Sequence, residues 1–131
     1  MLDFEKCPCS GGNLDKLIQP LILINLAHAD LYGYKIVQLI ADSPMFKGRK
    51  PDGTGVYRSL KAMEQRGLVV SSWSLADAGP AKRIYHITGD GMECLARWIT
   101  TLKEYRQTIG MILEEAQQAY VKTHIWQIDE M

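Results

Sequence analysis

The sequence predicts a mainly α-helical domain carrying a small β-hairpin, followed by one long C-terminal helix. Three stretches with apolar residues at helical spacing precede two short alternating runs around a turn-rich segment. The last third of the chain then repeats apolar residues at alternating steps of three and four. At 131 residues the chain suits one domain with an appended element. The expected division is a loose segment over 1–12, a helical and hairpin domain over 13–89, and a helix over 90–131 that seeks a partner.

The first helix is expected from Asn13, a capable N-cap, to Ala29, with Leu14, Leu17, Ile18, Leu21, Ile22, Ile24 and Leu26 covering much of its surface. Pro20 predicts a kink or a restart within it. After a turn over 28–33, a second helix over 34–43 directs Ile36, Val37, Leu39 and Ile40 inward, and Pro44 with the 47–53 stretch ends it. A third helix is expected over 54–66, capped by Thr54 or Asp52 and stopped by Gly67, with Val56, Leu60 and Met63 as its buried stripe. Residues 68–75 and 83–88 read as strands, the second anchored by Ile84 and Ile87, and Asp77, Gly79 and Pro80 mark the hairpin tip. Helix, helix, helix, hairpin is the order of a winged helix-turn-helix. The final helix, over 90–124, would run roughly 50 Å if unbroken. Its seam of Leu95, Trp98, Leu102, Tyr105, Ile109, Ile112, Ala116 and Ala119 is a heptad pattern suited to self-association, with Leu95, Leu102, Ile109 and Ile112 as candidate dimer contacts. Gly110 is a possible bend within it.

With 47% hydrophobic and 23% charged residues the chain has the balance of a folded protein and not of a disordered one. Its longest apolar run is far short of a membrane span, and nothing at its start reads as a signal peptide, so a cytoplasmic protein is expected, with no membrane partner. The net charge is zero, but its distribution is uneven. Residues 45–85 carry eight bases and three acids, whereas 1–44 carry three bases and five acids and 86–131 four bases and seven acids. A basic cluster on a neutral chain is what a localised contact with double-stranded DNA requires.

In this architecture the third helix enters the major groove, where base edges present a distinguishing pattern of donors and acceptors. Thr54, Gly55, Tyr57, Arg58 and Lys61 are therefore the candidate contacts on that helix. Lys82 and Arg83, beside the hairpin tip, are the candidate contacts from the wing, and Lys47, Arg49 and Lys50 form a further basic loop.

The run Gly53-Thr54-Gly55-Val56-Tyr57-Arg58-Ser59-Leu60-Lys61-Ala62-Met63-Glu64-Gln65-Arg66-Gly67-Leu68 resembles the PadR (phenolic acid decarboxylase regulator) group of winged-helix transcription factors. So do the Gly33-Tyr34 pair and the run Lys82-Arg83-Ile84-Tyr85-His86-Ile87-Thr88 with Gly91 after it. The likeness covers roughly residues 14–110. It implies a sequence-specific homodimeric repressor that binds a pseudo-palindromic operator and, in many members, leaves it on binding a small molecule. Some members hold flat aromatic ligands between subunits with a tryptophan of the C-terminal helix. That makes Trp98, with Tyr105 two turns on, a candidate effector contact. Counted from Gly91, Trp98 stands one turn earlier than in those members, and a ring buried in the subunit interface is its other reading.

Cys7-Pro8-Cys9 departs from the family pattern. Two thiols one residue apart suit a soft metal or redox sensing, or are simply exposed thiols, and the sequence offers few partner ligands for a four-coordinate site, namely Cys94, His28, His86 and His124. No resident cofactor is expected. Nor is enzymatic activity, since no nucleophile, base and orienting partner form a recognisable set in the sequence. A winged helix used as a protein-interaction adaptor is the remaining alternative, and the basic middle third speaks against it.

Overall fold

Pro20 opens the first helix and does not break it. A computed structural model describes residues 14–46, 53–74 and 79–129, and in it a 3-10 turn over Leu14–Leu17 passes into α1, Ile18–His28. Pro20 is thus the third residue of α1, where the missing N–H would have had no intrahelical partner. The expected restart occurs two residues before the proline, and Asn13 lies outside the described residues. Ile18, Leu21, Ile22, Leu23 and Leu26 are all buried, so α1 is enclosed on most of its circumference.

Two residues that read as turn form a strand. β1, Leu31–Tyr32, leads directly into α2, Gly33–Ala41, of which Ile36 and Ile40 are fully buried while Val37 and Leu39 are half-buried. A 3-10 turn over Pro44–Phe46 follows. Helix α3, Gly53–Gln65, buries Val56, Leu60 and Met63 as its spacing requires. Thr54 stands inside this helix and not at its cap, and Asp52 lies outside the described residues. Gly67, at φ 78°, ends it. Gly67 N–H donates to the Glu64 carbonyl at 3.1 Å and Leu68 N–H to the Met63 carbonyl at 2.9 Å, the paired bonds of a Schellman stop.

β2, Val69–Ser74, and β3, Lys82–Ile87, form the hairpin, and β1 adds to the free edge of β3, giving an antiparallel sheet in the order β1-β3-β2. The register sets Trp73 opposite Arg83, Ser71 opposite Tyr85 and Leu31 opposite Tyr85. One face, with Val69, Ser71, Trp73, Arg83, Tyr85 and Ile87, meets α3; the other carries Val70, Ser72, Ser74, Lys82, Ile84 and His86. The buried anchor of β3 is Tyr85, at 7% exposure, and not Ile84 and Ile87, which lie half-buried on opposite faces.

Thr88 starts the last helix, α4, Gly89–Asp129. Its hydroxyl accepts from Gly91 N–H at 3.0 Å, a side-chain N-cap, and donates toward the carbonyls of Gly67 at 2.7 Å and Leu68 at 2.9 Å. A β-carbon on Gly91 would collide with the Leu68 carbonyl oxygen and with Ile87 Cγ1. The spacing from Thr88 to Gly91 is thus a capping hydroxyl followed by a residue with no room for a side chain.

The chain divides into two compact units, Met1–Leu95 and Ala96–Met131. The second consists of the remainder of α4, which runs through Gly110 without interruption. Along the seam Leu95, Trp98 and Leu102 are half-buried, whereas Tyr105, Ile109 and Ile112 are exposed, as are Leu113, Tyr120 and Val121. Among the described residues no helix is long and apolar enough to cross a membrane.

Candidate nucleic-acid interface

The buried stripe of α3 turns the opposite side of that helix outward, leaving Tyr57 and Arg58, and Lys61 one turn on, exposed. Gly55 lies half-buried in the first turn, and nothing is described of the Thr54 side chain. Across from this face stands the inner side of the wing. Tyr57, Lys61, Glu64 and Gln65 of α3 and Arg83 and Tyr85 of β3 line one groove of about 510 Å³. A second, of about 250 Å³, adjoins it and is lined by Tyr32, Gly33, Tyr34, Tyr57, Lys82, Arg83 and Tyr85. The sequence-predicted residues Tyr57, Lys61, Lys82 and Arg83 therefore meet along one continuous surface, and Arg58 stands beside it on α3. Lys47, Arg49 and Lys50 lie outside the described residues, as do Cys7 and Cys9.

Neither wing cation is loose. Arg83 stacks its guanidinium over Trp73, 5.5 Å from the ring centroid, and pairs with Glu64 Oε1 at 3.6 Å. The Glu64 carboxylate is fixed in turn by the Ser71 hydroxyl, which donates to it with its two oxygens at 2.9 and 2.8 Å. Lys82 Nζ lies over the rings of Tyr34, at 5.3 Å, and Tyr32, at 5.8 Å, and those rings stack on one another with centroids 5.8 Å apart. The Tyr32 hydroxyl donates to Ser74 Oγ at 3.2 Å, which ties β1 to β2 across the central strand. The aromatic cradle and Glu64 were not read as site features from the sequence. Their signal was weak there, because the partners stand far apart in the chain and meet only through the sheet register.

Burial raises the Tyr85 phenol above its ordinary value; the Arg83 charge opposes that, Glu64 and Tyr57 add to it, and a hydrogen bond from Arg83 lowers it again. Tyr85 thus stays protonated at neutral pH, an apolar floor with a polar tip beneath the Arg83 guanidinium.

On the other face of the sheet the fold brings together three residues that no local pattern connects. His86 Nδ1 lies 2.9 Å from Asp30 Oδ2, and its Nε2 lies 3.1 Å from Ser72 Oγ. The chain of contacts joins β2 to β3 and pins Asp30, just before β1, to the hairpin. Alignment of this kind resembles a nucleophile with its base, but catalysis also needs donors placed for a developing oxyanion. Among the described residues no group of three or more His, Cys, Asp or Glu side chains could hold a metal ion, and Cys94 is a half-buried free thiol on α4.

The sequence profile of the transcriptional regulator PadR-like family matches residues 22–97. That span contains α2, α3, the wing and the first turns of α4. None of the curated protein sequences matches the chain. A protein from Thermoplasma acidophilum assigned as a transcriptional regulator is 30% identical with a TM-score of 0.67, over 77% of this chain and 94% of that one. A PadR family transcription regulator from Clostridium difficile is 24% identical with a TM-score of 0.64, over 73% of this chain and 97% of that one. Bacillus subtilis PadR, solved in complex with operator DNA, is 20% identical with a TM-score of 0.56, over 63% of this chain and 47% of that one. At those last two identities the likeness is one of fold.

Proposed function

This chain belongs to the PadR-like family of transcriptional regulators, and from that premise we propose that it reads double-stranded DNA with α3 and its wing. It is a regulator and not an enzyme by that membership. The observation that carries the DNA reading is the surface shared by Tyr57 and Lys61 of α3 and Arg83 of β3, with Lys82 in the adjoining groove. An α3 seated in the major groove would bring a phosphate strand over this surface. Arg58 and Lys61 are exposed and make no ion pair with a described residue, so each is available to a base edge or a phosphate. Gly55, and Thr54 with it, belong to the first turn, whose N–H groups suit phosphate. The structure of Bacillus subtilis PadR on operator DNA supports the same use of the fold here.

The rest of the proposal concerns assembly and response. Residues 13–89 form the reading module and residues 90–131 the dimerisation helix, through Leu95, Leu102, Ile109 and Ile112. The homodimer acts in the cytoplasm as a repressor released by a small aromatic effector, for which Trp98 and Tyr105 on the seam are the contacts. What supports this part is the run of exposed apolar residues along α4, which a second copy would cover.

The test is binding of the purified protein to its own upstream DNA, by retardation or anisotropy, against scrambled duplex and over a range of salt. Sequence-preferring, salt-sensitive binding is expected. Lys61→Ala and Arg58→Ala should each weaken it, and a loss uniform across sequences, with the salt slope reduced by about 1, marks a phosphate contact. Absence of binding to any duplex would sink the reading.

A further inference from the structure

Among the described residues Glu64 is the one acid lining the groove between α3 and the wing, where its neighbours are Tyr57, Lys61, Gln65, Arg83 and Tyr85. We propose that Glu64 restrains DNA binding: it holds Arg83 in the unbound protein, so that a phosphate must displace a carboxylate to reach the wing arginine. This rests on the reading of the groove as a DNA-facing surface.

Glu64 sits one turn after Lys61 and two after Tyr57 on α3, on the side that faces β3. The Ser71 hydroxyl donates to its carboxylate and fixes its aim at Arg83. The pair is loose, at 3.6 Å, and both side chains keep access to solvent, 49% for Arg83 and 31% for Glu64. Such a pair adds little to folding, and an incoming phosphate can compete with it. Arg83 is meanwhile kept in place by the Trp73 ring, so losing Glu64 leaves the guanidinium on the wing's inner face. A carboxylate beside a phosphate path also repels the backbone directly. Both effects weaken the sequence-independent part of binding, which rests on cations and phosphates, and leave base readout by α3 untouched. Glu64 therefore favours discrimination between sites over raw affinity.

The test is DNA affinity of Glu64→Gln, with Arg83→Ala and the double variant, on operator and scrambled duplexes at several salt concentrations. Gln keeps the size and an acceptor for Ser71. The expected result is binding about two- to fivefold tighter at low salt, the span that exposed pairs command. The gain should be larger on scrambled DNA, the salt slope steeper by about 1, and most of the gain should be absent when Arg83 is alanine. Glu64→Ala should change affinity in the same direction, which separates loss of charge from any peculiarity of the amide. Equal or weaker binding by both Glu64 variants, with unchanged melting, overturns the proposal and makes Glu64 a scaffold for the wing. A gain that persists in full without Arg83 also overturns it. Failure of the unaltered protein to bind DNA at all is a separate outcome, read on that protein alone, and removes the proposal together with the reading beneath it.

Discussion

The Tyr57 ring occupies the space that a side chain at position 33 would need: a β-carbon on Gly33 would stand 2.7 Å from Tyr57 Cε1 and 3.3 Å from its hydroxyl. The first residue of α2 thus sets where the exposed tyrosine of α3 can lie. The obstruction is the far end of a half-exposed side chain, which can swing toward solvent. Gly33→Ala should accordingly cost less than about 1 kcal/mol of stability. It should weaken DNA binding by about 1 kcal/mol, the worth of one misplaced contact. Paired melting and DNA titration check this, and a large loss of stability with normal DNA binding would contradict it.

Gly91 presents the opposite case. There a β-carbon meets the Leu68 backbone carbonyl, which cannot move without disturbing the end of α3 and the start of β2. Gly91→Ala should destabilise the fold by about 2–4 kcal/mol, as overpacking against backbone does. Urea denaturation measures it. A change below about 0.5 kcal/mol would show that the junction yields more easily than its geometry implies.

Removing the Thr88 hydroxyl takes away the cap of α4 and a donor to the Gly67 and Leu68 carbonyls at once. Thr88→Ala should cost about 1–2 kcal/mol, and Thr88→Ser should restore most of it. If serine proves as poor as alanine, the methyl group and not the hydroxyl is what matters.

The folded protein retains the Tyr85 proton at a pH where the unfolded chain has begun to lose it, because burial raises the phenol above 10.0. The resulting stability is present in full below that value and is lost as the pH rises through the folded one. As the pH rises above 10.0 the wild-type protein should therefore lose stability more steeply than Tyr85→Phe. Parallel slopes for the two proteins would show that Tyr85 ionises as freely when folded.

Ile109 and Ile112 are 63% and 60% exposed, so the chain that carries them gains nothing from their burial by itself. Ile109→Lys with Ile112→Lys should leave the fold of residues 13–89 intact and raise the dimer dissociation constant by at least about 100-fold, from roughly 1.5 kcal/mol per side chain withdrawn from an apolar interface. Sedimentation or light scattering over a dilution series reads this directly. An unaltered protein that is monomeric at all concentrations would remove the seam's assigned role.

Much of the helical frame was legible because its signals are local. Val56, Leu60 and Met63 announce α3 by spacing alone, Gly67 announces its end, and the seam of α4 follows from steps of three and four. β1 was not legible, since Leu31 and Tyr32 are too few to alternate and acquire strand geometry only from the edge of β3. Pro20 misled in its details: its cost depends on which helical position it occupies, and that was fixed by where the preceding 3-10 turn ends. At the candidate site the local patterns put Arg58 and Lys61 on a helix and Lys82 and Arg83 beside a hairpin tip, but give them no partners. That Lys82 lies over Tyr32 and Tyr34, and Arg83 between Glu64 and Trp73, depends on contacts across the sheet that no local pattern encodes.

The meeting of Gly67, Leu68, Thr88 and Gly91 has a consequence for how such a chain can vary over generations. One hydroxyl and one vacant β-carbon position join the stop of α3, the start of β2, the end of β3 and the start of α4. Mutational tolerance should therefore be concentrated beyond this point, on the exposed turns of α4, where substitutions disturb no backbone junction. If α4 pairs with a second copy as proposed, a lineage could exchange the partner helix it recognises while inheriting its reading head intact, and new pairings of subunits would arise without the proposed DNA-facing surface being rebuilt.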